Sequence, residues 1–223
     1  MSGIYIHIPF CKQACHYCDF HFSTNLKKKD EMVLALAKEI EMRKSEFQDE
    51  IVETIYFGGG TPSILQIADL KFLIDAVYKN YKVVENPEIT VEANPDDLTE
   101  NRIIELSNNK VNRLSIGIQS FFEDDLQLMN RAHNVEEAKK CLEIATHYFD
   151  NISIDLIYGV PEMSNEKWLQ NIETALSFGV PHISSYALTV EPKTALHSFI
   201  QKGIIPQPDD EVAQEHFQIL VDK

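Results

Sequence analysis

The sequence has little positive charge. Its 223 residues include 20 lysines and arginines against 35 aspartates and glutamates, which gives a formal net charge of −15 at pH 7. Nucleic acids and anionic membrane surfaces are bound through clusters of basic side chains. The basic run at residues 27–29 is short and precedes a predicted helix. The composition therefore argues against a nucleic-acid partner.

Long hydrophobic runs are also missing. No apolar stretch reaches the roughly 20 residues of a membrane-spanning helix, so no integral membrane segment is predicted. The N-terminus leads into a strand-like segment without the charged region and cleavage site of a secretory signal. Only four cysteines occur, and three of them lie within eight residues, which is not a disulfide framework. We expect a cytoplasmic protein whose thiols are reduced.

What the sequence does contain is an alternation of strand-like and helix-like segments. Strands are predicted at residues 3–8, 52–57, 88–92, 113–117, 152–156 and 182–187. Helices are predicted at 29–48, 68–81, 99–108 with Thr99 as N-cap, 122–129, 135–148 and 164–178. Strands separated by helices pair in parallel. The predicted fold is α/β, a partial TIM barrel, (β/α)6, with a parallel sheet over residues 1–206; residues 207–223 are the helical start of a further region.

Polar residues and glycines follow the predicted strands, where barrel active sites lie. They occur at Cys11, at residues 58–62, at 92–95, at Gln119, at Asp155 and at 186–187. Each is also explained as an ordinary turn, because Gly, Pro, Asn and Asp favour turns for local reasons. Six such positions in register predict one ligand cavity.

The most informative feature is the Cys-x3-Cys-x2-Cys spacing of Cys11, Cys15 and Cys18. A fully ligated iron–sulfur cubane takes four thiolates, so three protein thiolates leave one iron open to a small molecule. The fourth cysteine, Cys141, has apolar helical neighbours and is predicted to be buried. Structural zinc is the alternative, with its fourth ligand taken from one of three nearby histidines, His7, His16 and His21.

These motifs resemble those of the radical S-adenosylmethionine (SAM) superfamily. An aromatic residue precedes the last cysteine, and Gly-Gly-Gly-Thr-Pro stands at residues 58–62. More narrowly, YIHIPFC at 5–11, YFGGGTP at 56–62, LSIGIQSF at 114–121 and IDLIYGVP at 154–161 resemble the oxygen-independent coproporphyrinogen III oxidase group. The resemblance covers residues 5–192, nearly the whole chain.

The resemblance implies cofactors and contacts. In that superfamily three cysteines bind a [4Fe-4S] cluster, and the open iron binds SAM, which an electron from the cluster cleaves to methionine and a 5′-deoxyadenosyl radical. The implied cluster ligands are Cys11, Cys15 and Cys18. The implied SAM contacts are Tyr5, Gly59, Gly60, Thr61, Glu92, Gln119, Arg131, Asp155 and Ala187.

Two departures from the oxidases are visible. The resemblance implies a further cysteine two residues after the third ligand and an N-terminal extension, but this chain has Phe20 and begins almost at the first strand. Cys18-Asp19-Phe20 looks like the heme chaperone branch of the group, whose members bind heme and pass it to acceptor proteins. That branch continues into a smaller C-terminal domain, whereas this chain ends within a predicted helix at 209–221 and looks truncated.

The predicted function is therefore that of a radical SAM heme chaperone. Its expected partners are heme or a porphyrin, an electron donor for the cluster and heme acceptor proteins. Whether SAM is cleaved stays open. The alternatives are the oxygen-independent coproporphyrinogen III oxidase itself and a radical enzyme acting on tRNA, which the negative charge disfavours.

Overall fold

The computed structural model describes residues 2–46 and 50–223, which form one parallel sheet flanked by helices. The strands pair in chain order, each parallel to the next, so β1 and β6 are the two edges. This arrangement is an open, partial (β/α)6 barrel, which confirms the predicted fold class. The strands are β1 (Ser2–Ile8), β2 (Val52–Gly59), β3 (Val83–Ala93), β4 (Arg113–Gln119), β5 (Ile152–Tyr158) and β6 (His182–Ala187).

Helices connect the strands and follow the last one. Thr99 caps the third helix as predicted, because its hydroxyl accepts a hydrogen bond from the Arg102 N–H. None of the helices in the described part of the chain is both long and apolar enough to cross a membrane. The helices are α1 (Lys29–Met42), α2 (Ile67–Asn80), α3 (Glu100–Ser107), α4 (Glu123–Leu128), α5 (Val135–Tyr148), α6 (Asn165–Ser177), α7 (Ala195–Gln201) and α8 (Asp210–Asp222).

Three of the differences from the predicted strands and α-helices involve more than two residues. The helix predicted at 29–48 ends at Met42 and continues as a 3-10 turn (Arg43–Glu46), while residues 47 and 48 lie outside the described residues. Strand β3 begins at Val83 rather than residue 88, although it contains Pro87, which usually argues against a strand interior. Helix α7 was not predicted, because seven residues are too few for a helical period to be recognised.

The two faces of the sheet differ in polarity. Successive strand residues point to opposite faces. On β4 and β5 one set, including Leu114, Ile116 and Ile154, is fully buried beneath the helices. Most of the alternate set is polar and faces the concave side; it includes Ser115 and Asp155. Strand alternation therefore separates an apolar core from a polar concave surface that can hold a ligand.

Helix α8 packs against the barrel rather than extending away from it. His216 on α8 is fully buried, its Nδ1 accepts from the Gly159 N–H at 3.1 Å, and its carbonyl accepts from Trp168 Nε1 at 2.8 Å. Burial lowers the pKa of His216, because desolvation disfavours the charged ring. The helix predicted at 209–221 is thus confirmed as α8, and the boundary predicted at residue 206 stays a prediction.

Candidate functional site

The cysteine segment, residues 11–18, follows β1 and is held in place from outside. The His16 N–H donates to the Met129 carbonyl at 3.0 Å, and the His16 Nδ1 donates to the Leu128 carbonyl at 2.8 Å. The Asn130 side chain donates to the Ala14 carbonyl at 2.7 Å. On the other side, the Leu196 N–H of α7 donates to the His16 carbonyl at 2.8 Å. The segment is therefore tethered both to the α4–α5 connection and to α7.

The three cysteines are free thiols and only partly buried, whereas Cys141 is buried in α5 as predicted. Burial raises the pKa of the Cys11 and Cys18 thiols, and it raises the pKa of Cys141 to about 12. Thiolate is the form that binds iron, so loading a metal at Cys11 and Cys18 must release protons. Cys141 has no such access and stays a core residue.

The glycine segment, residues 58–62 at the end of β2, brings the backbone of β1 and β2 together. The Gly60 N–H donates to the Ile8 carbonyl at 2.8 Å, and the Thr61 N–H donates to the Phe10 carbonyl at 2.7 Å. A Cβ at Gly60 would stand 2.6 Å from the Phe10 carbonyl oxygen, so only glycine fits there. Gly59 has a φ of +112°, and its N–H donates to Glu92 Oε2 at 3.0 Å. The glycines thus connect the cysteine segment to the carboxylate of β3.

Two carboxylates point into the concave side. Glu92 accepts from the Tyr56 hydroxyl at 2.7 Å as well as from Gly59. Burial, together with the negative charge of Glu92, raises the pKa of Asp155 to about 6, although Arg131 and Arg113 oppose that rise. These groups offer acceptors for ammonium and hydroxyl groups of a bound molecule.

Arg131 carries a partly buried positive charge whose partners, in the described part of the chain, are neutral groups and a thiol. Its Nη1 lies 3.2 Å from Cys15 Sγ, and its Nη2 donates to Asn94 Oδ1 at 2.7 Å and to the Gly117 carbonyl at 2.9 Å. Its Nε is buried without a partner among the described residues. A guanidinium in this position complements negative charge on the cysteine sulfurs or on a bound ligand.

These residues surround one cleft of about 170 Å³. Ten of the predicted site residues line it: Cys11, Cys15, Cys18, Gly59, Gly60, Thr61, Glu92, Gln119, Arg131 and Asp155. Two do not. Tyr5 is 56% exposed and stacks on Tyr56, one side chain away from Glu92. Ala187 is exposed at the end of β6, where it pairs with Tyr158.

The donor set fits an iron–sulfur cluster and SAM. Three soft thiolates suit iron in a cluster, where each binds a different iron. The unpaired Arg131 Nε and the two carboxylates offer the charges that an anionic cluster and a ligand with ammonium and carboxylate groups require. Within residues 2–46 and 50–223, no three or more His, Cys, Asp or Glu side chains are grouped so that they could hold one metal ion. Two of the histidines weighed as zinc ligands already have partners, His16 at Leu128 and His7 at Tyr5.

Several cleft residues are absent from the predicted set. Asn94 links the site internally, because its Oδ1 accepts from Arg131 and its Nδ2 lies 3.4 Å from Thr61 Oγ1. Its position directly after β3 was the sequence feature that could have identified it as a site residue. Ser115 and Gly117 are two residues apart on β4, so alternation along that strand was the signal that they share a face. The cleft is lined in addition by Gln13, Tyr17, Phe20, Phe22 and Ala93.

The sequence is similar to a known family and to named bacterial proteins. The family model described as the radical SAM superfamily matches residues 5–175. The chain is 38% identical over 226 residues to the heme chaperone HemW of Bacillus subtilis, covering all of this chain and 60% of that protein. It is 37% identical over 211 residues to the heme chaperone HemW of Escherichia coli, covering 93% of this chain and 55% of that protein.

Among solved structures, the coproporphyrinogen III oxidase HemN of Escherichia coli, described as a radical SAM enzyme, superimposes with a TM-score of 0.86. The sequence identity is 27%, and the match covers 99% of this chain and 51% of that one. The chain therefore spans between half and two thirds of the length of these relatives.

Proposed function

This chain belongs to the radical SAM superfamily, and on that premise we propose that it binds a [4Fe-4S] cluster and SAM and acts as a heme chaperone. The observation that carries the proposal is the convergence of three thiols, the glycine segment and two carboxylates on one cleft. Two relatives that are 38% and 37% identical to this chain are named as heme chaperones. The partners we propose are heme, an electron donor and heme acceptor proteins.

We propose that some of the cleft residues bind the cluster and the others bind SAM. Cys11, Cys15 and Cys18 bind the cluster, which supplies a low-potential electron to SAM when both are bound. Gly59 to Thr61 present backbone to SAM, and Asp155 accepts from its hydroxyl groups. Further proposed contacts to SAM are Glu92, Gln119 and Arg131 in the cleft, with Tyr5 and Ala187 at its margin. All four cysteines are free, which suits a reducing compartment such as the cytoplasm.

Phe20 favours heme handling over porphyrin oxidation. It lines the cleft with 72% of its surface exposed, at the position where the resemblance implies a cysteine in the oxidases. An exposed aromatic ring adds apolar surface at the cleft and no fourth thiol. The second candidate, oxygen-independent coproporphyrinogen III oxidase, is favoured by the structural match to HemN.

Anaerobic reconstitution with iron and sulfide tests the cluster. We expect a brown protein with about four irons per chain and broad visible absorption. Cys15→Ala should lose the colour, and Cys141→Ala is the matched control that should keep it. A colourless wild-type protein that holds one zinc would contradict the proposal.

Heme titration and an oxidase assay separate the two candidates. We expect the loaded protein to bind heme, followed by its visible spectrum, and to form no protoporphyrinogen from coproporphyrinogen III in the presence of SAM and a reductant. Formation of protoporphyrinogen would support the oxidase instead. A loaded protein that binds neither heme nor coproporphyrinogen would contradict both candidates.

A further inference from the structure

Gln119 stands on an irregular part of β4. Ile116 pairs with Ile154, but Gln119 pairs with Leu156, so three steps along β4 match two steps along β5. Such a bulge redirects a side chain, commonly beside an active site. Gln119 also has a φ of +70°, which is unfavourable for a residue with a side chain.

The bulge directs the Gln119 amide across Gly117. A Cβ at Gly117 would come within 2.8 Å of Gln119 Nε2 and within 3.2 Å of Arg131 Nη2. The side chain thus lies in the cleft next to the guanidinium that reaches Cys15. Its position depends on the backbone at Gln119 keeping an unfavourable conformation, so contacts to the residues that follow must hold that backbone.

The residue that holds it lies on α6, on the opposite side of the sheet from the cleft. Asn171 is fully buried, and its Oδ1 accepts from the Phe121 N–H at 2.6 Å. The Ser120 hydroxyl donates to Asp125 Oδ2 at 2.7 Å and lies 3.3 Å from Asn171 Oδ1. Asp125 is buried as well and pairs with Lys167 Nζ at 2.6 Å. We call Asn171, Ser120, Asp125 and Lys167 the α6 brace.

The amide oxygen of Asn171 accepts hydrogen bonds, whereas its amide nitrogen donates none to the described residues. Among the described residues its Nδ2 has no hydrogen-bond partner, although it is buried. An unpaired buried donor is unfavourable, and an aliphatic side chain of similar size would remove it. That aliphatic side chain would leave the Phe121 N–H unpaired instead. The need for an acceptor at Phe121, rather than packing, accounts for an asparagine here.

We infer that Asn171 is a positioning residue for SAM: by fixing Phe121 and Ser120 from behind the sheet, it keeps Gln119 pointing into the cleft. Asn171 itself does not line the cleft. The inference rests on the proposed function, since it requires SAM to occupy the cleft. It assigns to the α6 brace an effect on SAM affinity that is distinct from its effect on folding.

The test compares SAM dissociation constants of cluster-loaded variants, measured by anaerobic calorimetry, with iron content measured in parallel. Asn171→Leu should weaken SAM binding about tenfold, a loss typical of residues that orient a binding group, with the iron content unchanged. Ile172→Ala is the matched control, because Ile172 is buried on the same helix within the hydrophobic core. It should lower the melting temperature at least as much and leave the SAM dissociation constant within about twofold of wild type.

A double-mutant cycle shows whether the effect passes through Gln119. In a Gln119→Ala background, Asn171→Leu should change SAM binding by less than about twofold, because coupled residues are not additive. If Asn171→Leu does not fold, Ser120→Ala removes a single hydroxyl of the α6 brace and enters the same cycle.

Three results would overturn the inference alone: wild-type SAM affinity in the brace variant, an equal loss in the Ile172→Ala control, or an undiminished loss in the Gln119→Ala background. A wild-type protein that loads the cluster but does not bind SAM would overturn the proposed function and the inference together.

Discussion

Replacing Asp155 by asparagine should stabilise the cluster-free protein and weaken SAM binding by the loaded protein. Asp155 lies partly buried in the cleft, and burial together with the charge of Glu92 raises its pKa from 3.8 to about 6. The folded protein therefore holds a proton on Asp155 at pH values where the unfolded chain has already released it. The contribution of the Asp155 carboxyl to the free energy of unfolding is fully present below about pH 4. It is lost as the pH rises through about 6, where the carboxyl ionises in the folded protein.

The size of the effect follows from the pKa difference. A pKa of about 6 in the folded protein, against 3.8 in the unfolded chain, corresponds to roughly 3 kcal/mol in the free energy of unfolding. Solvent reaches part of the side chain, so we expect a gain of about 2 kcal/mol for Asp155→Asn at pH 7.5. At pH 4 the carboxyl is protonated in the folded state, and the gain should fall below about 0.5 kcal/mol.

Urea unfolding of the cluster-free protein at both pH values measures this difference. Asp150→Asn is the control, because Asp150 is exposed just before β5 and should change stability by less than about 0.5 kcal/mol. The loaded Asp155→Asn protein should bind SAM more weakly than wild type, since a carboxylate acceptor has been replaced by an amide. An Asp155→Asn variant that is no more stable at pH 7.5, or equally stabilised at both pH values, would refute the reasoning.

Three further changes test other contacts. Gly117→Ala should weaken SAM binding about tenfold with an unchanged circular dichroism spectrum, because the new Cβ crowds Gln119 Nε2 and Arg131 Nη2; calorimetry checks it, and wild-type affinity would speak against the crowding. Arg131→Lys should lower the reduction potential of the cluster in a redox titration, because the Nη1 donor to Cys15 Sγ is lost; an unchanged potential would show that this contact does not reach the cluster. Trp168→Phe should reduce the free energy of unfolding in urea by about 1 kcal/mol, because the His216 carbonyl loses its donor from Nε1; a change within error would mean that this bond does not hold α8.

Most of the fold was predictable because its signals are local. All six predicted strands are present, and the helix at 135–148 has the predicted bounds. Alternation along β4 and β5 also indicates which side chains share the concave face. The errors fall where local signals are weak or misleading: Pro87 within β3, and the short helix α7.

The candidate site was predictable in its composition but not in its contacts. Ten of the residues expected there line the cleft, because parallel strands bring their carboxyl ends to one edge. The tethers of the cysteine segment to Met129 and Leu196 were not predictable, since they join residues more than 100 positions apart. Backbone pairing at that distance leaves no periodic pattern in the sequence.

The sequence by itself determined which side chains are available as ligands and which strands carry or precede them. The spacing of Cys11, Cys15 and Cys18 already indicated an open iron–sulfur site, because residue types and short-range spacings can be read directly from the sequence. Only the tertiary structure decided that Arg131 reaches Cys15 and that Asn171 stands behind Gln119. Those contacts depend on how the strands and helices pack in three dimensions, and residues distant in sequence acquire their partners only when the sheet and helices are assembled.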